Sequence, residues 1–175
     1  MQFNFLYIML AAFIPVALGF IYYHPKFVGG AWMKATGITD EKLKSGNMVI
    51  IIAASLVLSF LMAATLAMLV THQTDLHSMF NGIEGYGEEG SAISKLMTEA
   101  FEITGDRYIS FGHGVVHGSM LGIFLVFPVM AINNMFERRP FRVTVINTIY
   151  WIITLALMGG VLCKFGFESF TFASM

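Results

Sequence analysis

Charge is scarce in this chain. Asp, Glu, Lys and Arg supply 12% of its 175 residues, about half the share of an average soluble domain. Neither sign dominates, since the net charge is −1. Nothing in that balance suggests a nucleic-acid partner. A single cysteine, Cys163, cannot close an internal disulfide, so cysteine usage says nothing about redox compartment. Also missing are a nucleotide-binding glycine loop, a nucleophile elbow, an HExxH motif and any acid pair inside an apolar run. The enzyme classes that carry those motifs are therefore not indicated, and enzymatic chemistry finds little support.

Apolar residues are abundant instead. They make up 57% of the chain, and the mean hydropathy is +0.73. Four apolar runs, at about 3–23, 48–70, 108–132 and 143–163, each reach the roughly 20 residues that cross a bilayer. Lipid offers no partner for backbone N–H and C=O groups, so each run is expected to be a helix. The fold class read from the sequence is all-α: a single domain over residues 1–175, an integral membrane bundle of four transmembrane helices. The N-terminal MQFNFLYIML has no basic n-region, and no small-x-small site follows it. The first run therefore reads as a span rather than a cleaved signal.

The connections differ in character. The first holds Lys26, Lys34, Lys42 and Lys44, with Phe27, Trp32 and Met33 among them, as an interfacial segment would. Thr39 reads as an N-cap, with Asp40 and Glu41 in the first helical turn. The third is a tight turn, NNMFERRPF, with Arg138, Arg139 and then Arg142. The second, 71–107, carries seven acids against Lys95 and Arg107. Within it Ile93, Leu96, Met97, Ala100 and Phe101 recur at helical spacing. This predicts an amphipathic helix over 91–104, closed by Gly105. Seven Lys and Arg fall on the face of connections one and three, and three on the other. The positive-inside rule then puts the richer face in the cytoplasm, and both termini and the acidic connection outside.

Helices in lipid associate by close packing of small residues. Ser55, Ser59, Ala63 and Ala67 are spaced by four along span two, and Gly114, Gly118 and Gly122 do the same on span three. Gly159 and Gly160 lie in span four. These stripes mark contact faces within the bundle or a dimer seam. Pro15 and Gly19 predict a kink in span one.

Span three opens with FGHGVVHG. His113 and His117 are four apart, hence on one helix face, at about 8 and 14 Å from a helix end near Tyr108. His72 and His77, with Asp75, Glu102 and Asp106, belong to the same end of the bundle. His24 is at the other. Four readings are open. A metal site would use His113, His117 and His72, with zinc or copper as the ion and Met120 as a further soft ligand. Haem would take imidazoles from two helices. A proton relay would exploit imidazole titration, although spans one and two have no titratable group at their centres. In the fourth reading the rings simply hydrogen-bond neighbouring helices.

Certain residues also resemble a known family. Leu18, Gly19, Tyr22, Tyr23 and Pro25 form a Leu-Gly-x-x-Tyr-Tyr-x-Pro segment. Gly29 or Gly30 precedes Trp32 and Met33, Thr39 to Glu41 open the next helix, and Phe136 to Arg139 make a Phe-Glu-x-Arg turn. This pattern resembles the bacterial membrane family catalogued as domain-of-unknown-function family 1761. The acidic connection and FGHGVVHG are outside the pattern. The resemblance implies a small four-helix protein of a bacterial inner membrane and no established activity. Tyr22, Tyr23, Pro25 and Trp32 are expected to act as an interfacial anchor. The leading expectation for function is a non-catalytic membrane protein, a homo-oligomer or an accessory subunit of a membrane assembly, with the lipid bilayer as its surroundings. The alternative is a metal- or proton-handling protein built on the histidines.

Overall fold

The computed structural model describes residues 2–169. Four of its helices are long and apolar enough to cross a membrane: Phe5–Tyr22, Met48–Leu69, Phe111–Phe136 and Phe141–Phe165. They coincide with the four expected spans to within a few residues and are called spans one to four below. Span four is the axis of the bundle. Half of its most apolar window is buried, against 22% or less in the other three. Spans one and three pack along it, and span two packs chiefly on span one.

Small residues make this packing close. Ile8, Ala11 and Ala12 of span one, Ala63, Leu66 and Ala67 of span two, and Leu155, Met158, Leu162 and Cys163 of span four form one buried cluster. Ser59 is buried on the same face of span two. Spans three and four meet backbone to backbone. A Cβ added at Gly114 would overlap the Gly159 carbonyl, and one at Gly118 the Leu155 carbonyl. At Gly122 it would come within 2.8 Å of the Ile152 Cα. The glycine stripe of span three is therefore a contact face inside the chain. On span two, Ser59, Ala63 and Ala67 of the stripe are buried inside the bundle, whereas Ser55 is half-buried.

Local chemistry sets the helix ends. Thr39 caps the short helix Asp40–Lys44, its hydroxyl accepting from the Lys42 amide at 3.3 Å. Asn47 caps span two in the same way through the Ile50 amide. Span three starts at Phe111 rather than Tyr108, because Ser110 is extended and its hydroxyl takes the His113 amide at 3.2 Å. Pro128 has no N–H for an i−4 carbonyl, and just before it, over Gly122–Val126, the ladder shifts to π-type bonding. Span three continues to Phe136, past Asn133 and Asn134. Asn134 Nδ2 donates to Thr144 Oγ1 at 2.9 Å across the hairpin, so it ties spans three and four.

The acidic connection folds into two helices. Gln73–Phe80 has no counterpart in the sequence reading. Ala92–Thr104 matches the expected 91–104, with Ser91 as its N-cap. In that helix Met97 is fully buried while Leu96 and Ile103 are exposed. Gln2–Phe3 pairs antiparallel with Phe167–Ser169, joining the two ends of the described chain.

The Tyr-Tyr-x-Pro segment is bonded into the bundle. The Tyr22 hydroxyl donates to the Ile146 carbonyl at 3.0 Å, and Tyr23 donates to Asn147 Oδ1 at 2.9 Å. From span four, the Tyr150 hydroxyl donates back to the Pro15 carbonyl at 2.7 Å. The rings of Tyr23 and Trp32 meet edge-on at 5.5 Å. Pro25 starts the tight segment Pro25–Gly29 that turns the chain beneath them. These aromatic groups clamp the end of span one to span four.

Candidate metal centre

Three imidazoles converge where span two ends and span three begins. Span two runs out at Leu69, which leaves His72 immediately before the helix Gln73–Phe80. The Ser110 cap fixes the first turn of span three and with it the direction of His113. His117 follows one turn later on the same face. With the helix starting at Phe111, His113 and His117 lie only about 3 and 9 Å from its first residue at 1.5 Å per residue. That is shallower than the sequence reading placed them, and it lets His72 reach both.

The ring centroids are 5.0 Å apart for His72 and His113, 5.1 Å for His72 and His117, and 4.4 Å for His113 and His117. One ring nitrogen from each lies within 4.8 Å of the other two. In a tetrahedral zinc site with bonds of about 2.0–2.1 Å, neighbouring nitrogens are about 3.4 Å apart. Closing this group around an ion thus takes movement of at most about 1.5 Å, within the range of side-chain rotation. His113 Nε2 is buried without a hydrogen-bond partner. His72 is open to solvent, its side chain 46% exposed. The group combines an unsatisfied buried nitrogen with an entrance from water.

The surroundings steer the rings. His72 Nδ1 is 3.8 Å from Asp75 Oδ2 one helical turn on, which suits an outer carboxylate behind a ligating imidazole. Tyr108 stacks on His113 with centroids 4.9 Å apart and planes at 23°. Its ring also meets His72 edge-on at 5.6 Å. The Tyr108 backbone is left-handed, at φ 69°, a costly conformation for a bulky residue. Its carbonyl accepts from Cys163 Sγ at 3.3 Å. Arg107 sits over the Tyr108 ring at 4.9 Å. Tyr108 and Arg107 are the residues that the sequence reading missed. No pattern marks them, because their role follows from a positive φ just ahead of the helix.

Other expected members stay apart. His77 bonds Tyr86 through Nδ1 at 2.7 Å and packs on Phe101. Burial lowers its pKa and favours the neutral ring. Met120 is exposed. His24 caps its own turn, accepting from the Lys26 amide, at the opposite end of the bundle. Among the described residues, the group able to share an ion consists of the three imidazoles and contains no carboxylate. Haem fits poorly. Axial imidazoles on opposite faces of a macrocycle stand farther apart than the 4.4–5.1 Å ring spacings here.

A family model described as "Protein of unknown function (DUF1761)" matches residues 6–163. Its range takes in the acidic connection and all three histidines. No curated protein and no solved structure matches the chain.

Proposed function

We propose, from the premise that this chain belongs to the DUF1761 family, that it is a multi-pass membrane protein that binds one late transition-metal ion. His72, His113 and His117 are the ligands. The observation that carries this reading is the convergence of three imidazoles around the unpartnered, buried Nε2 of His113. Neutral imidazole is a good ligand for zinc and copper, and three nitrogens leave a fourth position open for water or an incoming ligand. The Asp75 carboxylate, 3.8 Å from His72 Nδ1, would steady that side of the ring and leave Nε2 for the ion. Placed by the charge bias of the connections, the site faces outward from a bacterial inner membrane, with the lysine- and arginine-bearing turns in the cytoplasm.

An oligomer or accessory subunit is the other reading. Gly114, Gly118 and Gly122 of span three, and Ala63 and Ala67 of span two, do not argue for it, because they pack within the chain. A proton path across the bilayer would find no acid or base at the centres of spans one and two.

The test is metal content. The full chain, purified in mild detergent without a metal-affinity step and exposed to Zn²⁺ or Cu⁺, should retain about one ion per chain. The H113A/H117A variant should retain none at an unchanged helical content. Wild type that stays empty, or a folded variant that keeps its ion, would contradict the reading.

A further inference from the structure

The end of the bundle opposite the histidines carries a cleft of ≈970 Å³ between spans one, two and four. This is at the upper end of the roughly 300–1,000 Å³ of ligand sites. It exists because small residues line it: Gly19 on span one, and Ser55 and Ser59 on span two. Along span two it extends from Met48 to Met62, about 21 Å at 1.5 Å per residue. Half of a roughly 30 Å hydrocarbon core is about 15 Å. The cleft therefore reaches from the interface to the middle of the membrane, the depth of one leaflet's acyl chain.

Its polarity is graded in the same sense. Two of the polar groups on its walls are bonded within the chain: Asn147 Oδ1 accepts from Tyr23, and Tyr150 donates to the Pro15 carbonyl. The deep part is lined mainly by apolar side chains, with Ser55 and Ser59 as small polar exceptions, and suits an acyl chain. At the mouth two opposite charges line the opening, Asp40 and Lys42, both exposed to water. Neither has an ion-pair partner among the described residues. An ammonium suits Asp40, and a phosphate suits Lys42. A purely anionic headgroup would meet Asp40 unfavourably, and a neutral quinone would use neither charge.

We propose that this cleft is a binding site for one zwitterionic glycerophospholipid, with an acyl chain along spans one and two and its headgroup between Asp40 and Lys42. The site is independent of the histidine group, which lies at the other end of spans one and two. Loss of one site leaves the other intact.

Native mass spectrometry of the full chain in mild detergent tests this, with phosphatidylethanolamine, phosphatidylglycerol and a short-chain ubiquinone offered separately and in competition. Wild type should keep one phosphatidylethanolamine, favoured over phosphatidylglycerol by about tenfold in affinity. S55F, which fills the cleft, should lower that retention by about tenfold with an unchanged helical spectrum. D40K, on the exposed mouth, should abolish the preference for phosphatidylethanolamine over phosphatidylglycerol, and it decides the matter should S55F not fold. Equal retention of phosphatidylglycerol by wild type, displacement by the quinone, an unaffected folded S55F, or an unaltered preference in D40K would each overturn the proposal.

Discussion

Gly118→Ala should destabilise the bundle strongly, although it adds one methyl group. The new Cβ would overlap the Leu155 carbonyl and press on the Ala156 Cα at 3.0 Å. Both are backbone atoms of the central helix, so no side chain can swing away. Overpacking of this sort costs about 1–3 kcal/mol or more. It would also separate spans three and four, which in lipid are held by close packing rather than by expulsion from water. Gly112 provides the control. It lies on the same helix nearly two turns nearer the end, and nothing stands within 4 Å of its added Cβ. Gly112→Ala should leave the protein unchanged or raise its stability by up to about 1 kcal/mol through helix propensity. Thermal unfolding of both variants in one detergent gives the comparison. Equal midpoints would mean that the two backbones do not touch.

The second large effect concerns the metal. His72→Ala should weaken zinc binding by more than about 100-fold, beyond the roughly 10–100-fold typical for loss of an outer partner. Two imidazoles on one helix then remain, without the third. Asp75→Asn should cost less, about tenfold, because that carboxylate only orients the ring and is well exposed. Isothermal titration with a competing chelator would rank the two. Both substitutions fall in the first residues beyond span two, outside the helix packing, so their effects on folding should be small. A ranking with Asp75→Asn as the weaker binder would put the carboxylate, rather than His72, on the ion.

The sequence made the spans legible because hydropathy is a local property and an unbroken apolar run of about 20 residues crosses lipid as a helix. It also revealed the His113–His117 pair, since i and i+4 share a face whatever the fold. His72 could be suspected from adjacency of the span ends, but its contact with span three crosses some forty residues. Tyr108 was invisible: it looked like the first residue of an apolar helix, and only its positive φ turns the ring onto His113. The start of span three moved for a related reason, since the Ser110 cap lies two residues after the first aromatic residue. Tyr22 and Tyr23 looked like an interfacial belt. Their hydroxyls reach Ile146 and Asn147, each 124 positions away, a distance at which no periodicity informs. The glycines of span three were visible as a stripe, yet their partner could only come from the fold. They meet span four of the same chain, and a second copy is not required.

X-ray absorption at the zinc edge on the zinc-loaded, full-length protein tests the central claim most directly. The account predicts three imidazole nitrogens at about 2.0–2.1 Å, with multiple-scattering features of the rings and one further light ligand. A first shell containing sulfur at about 2.3 Å, or one without imidazole scattering, would contradict it.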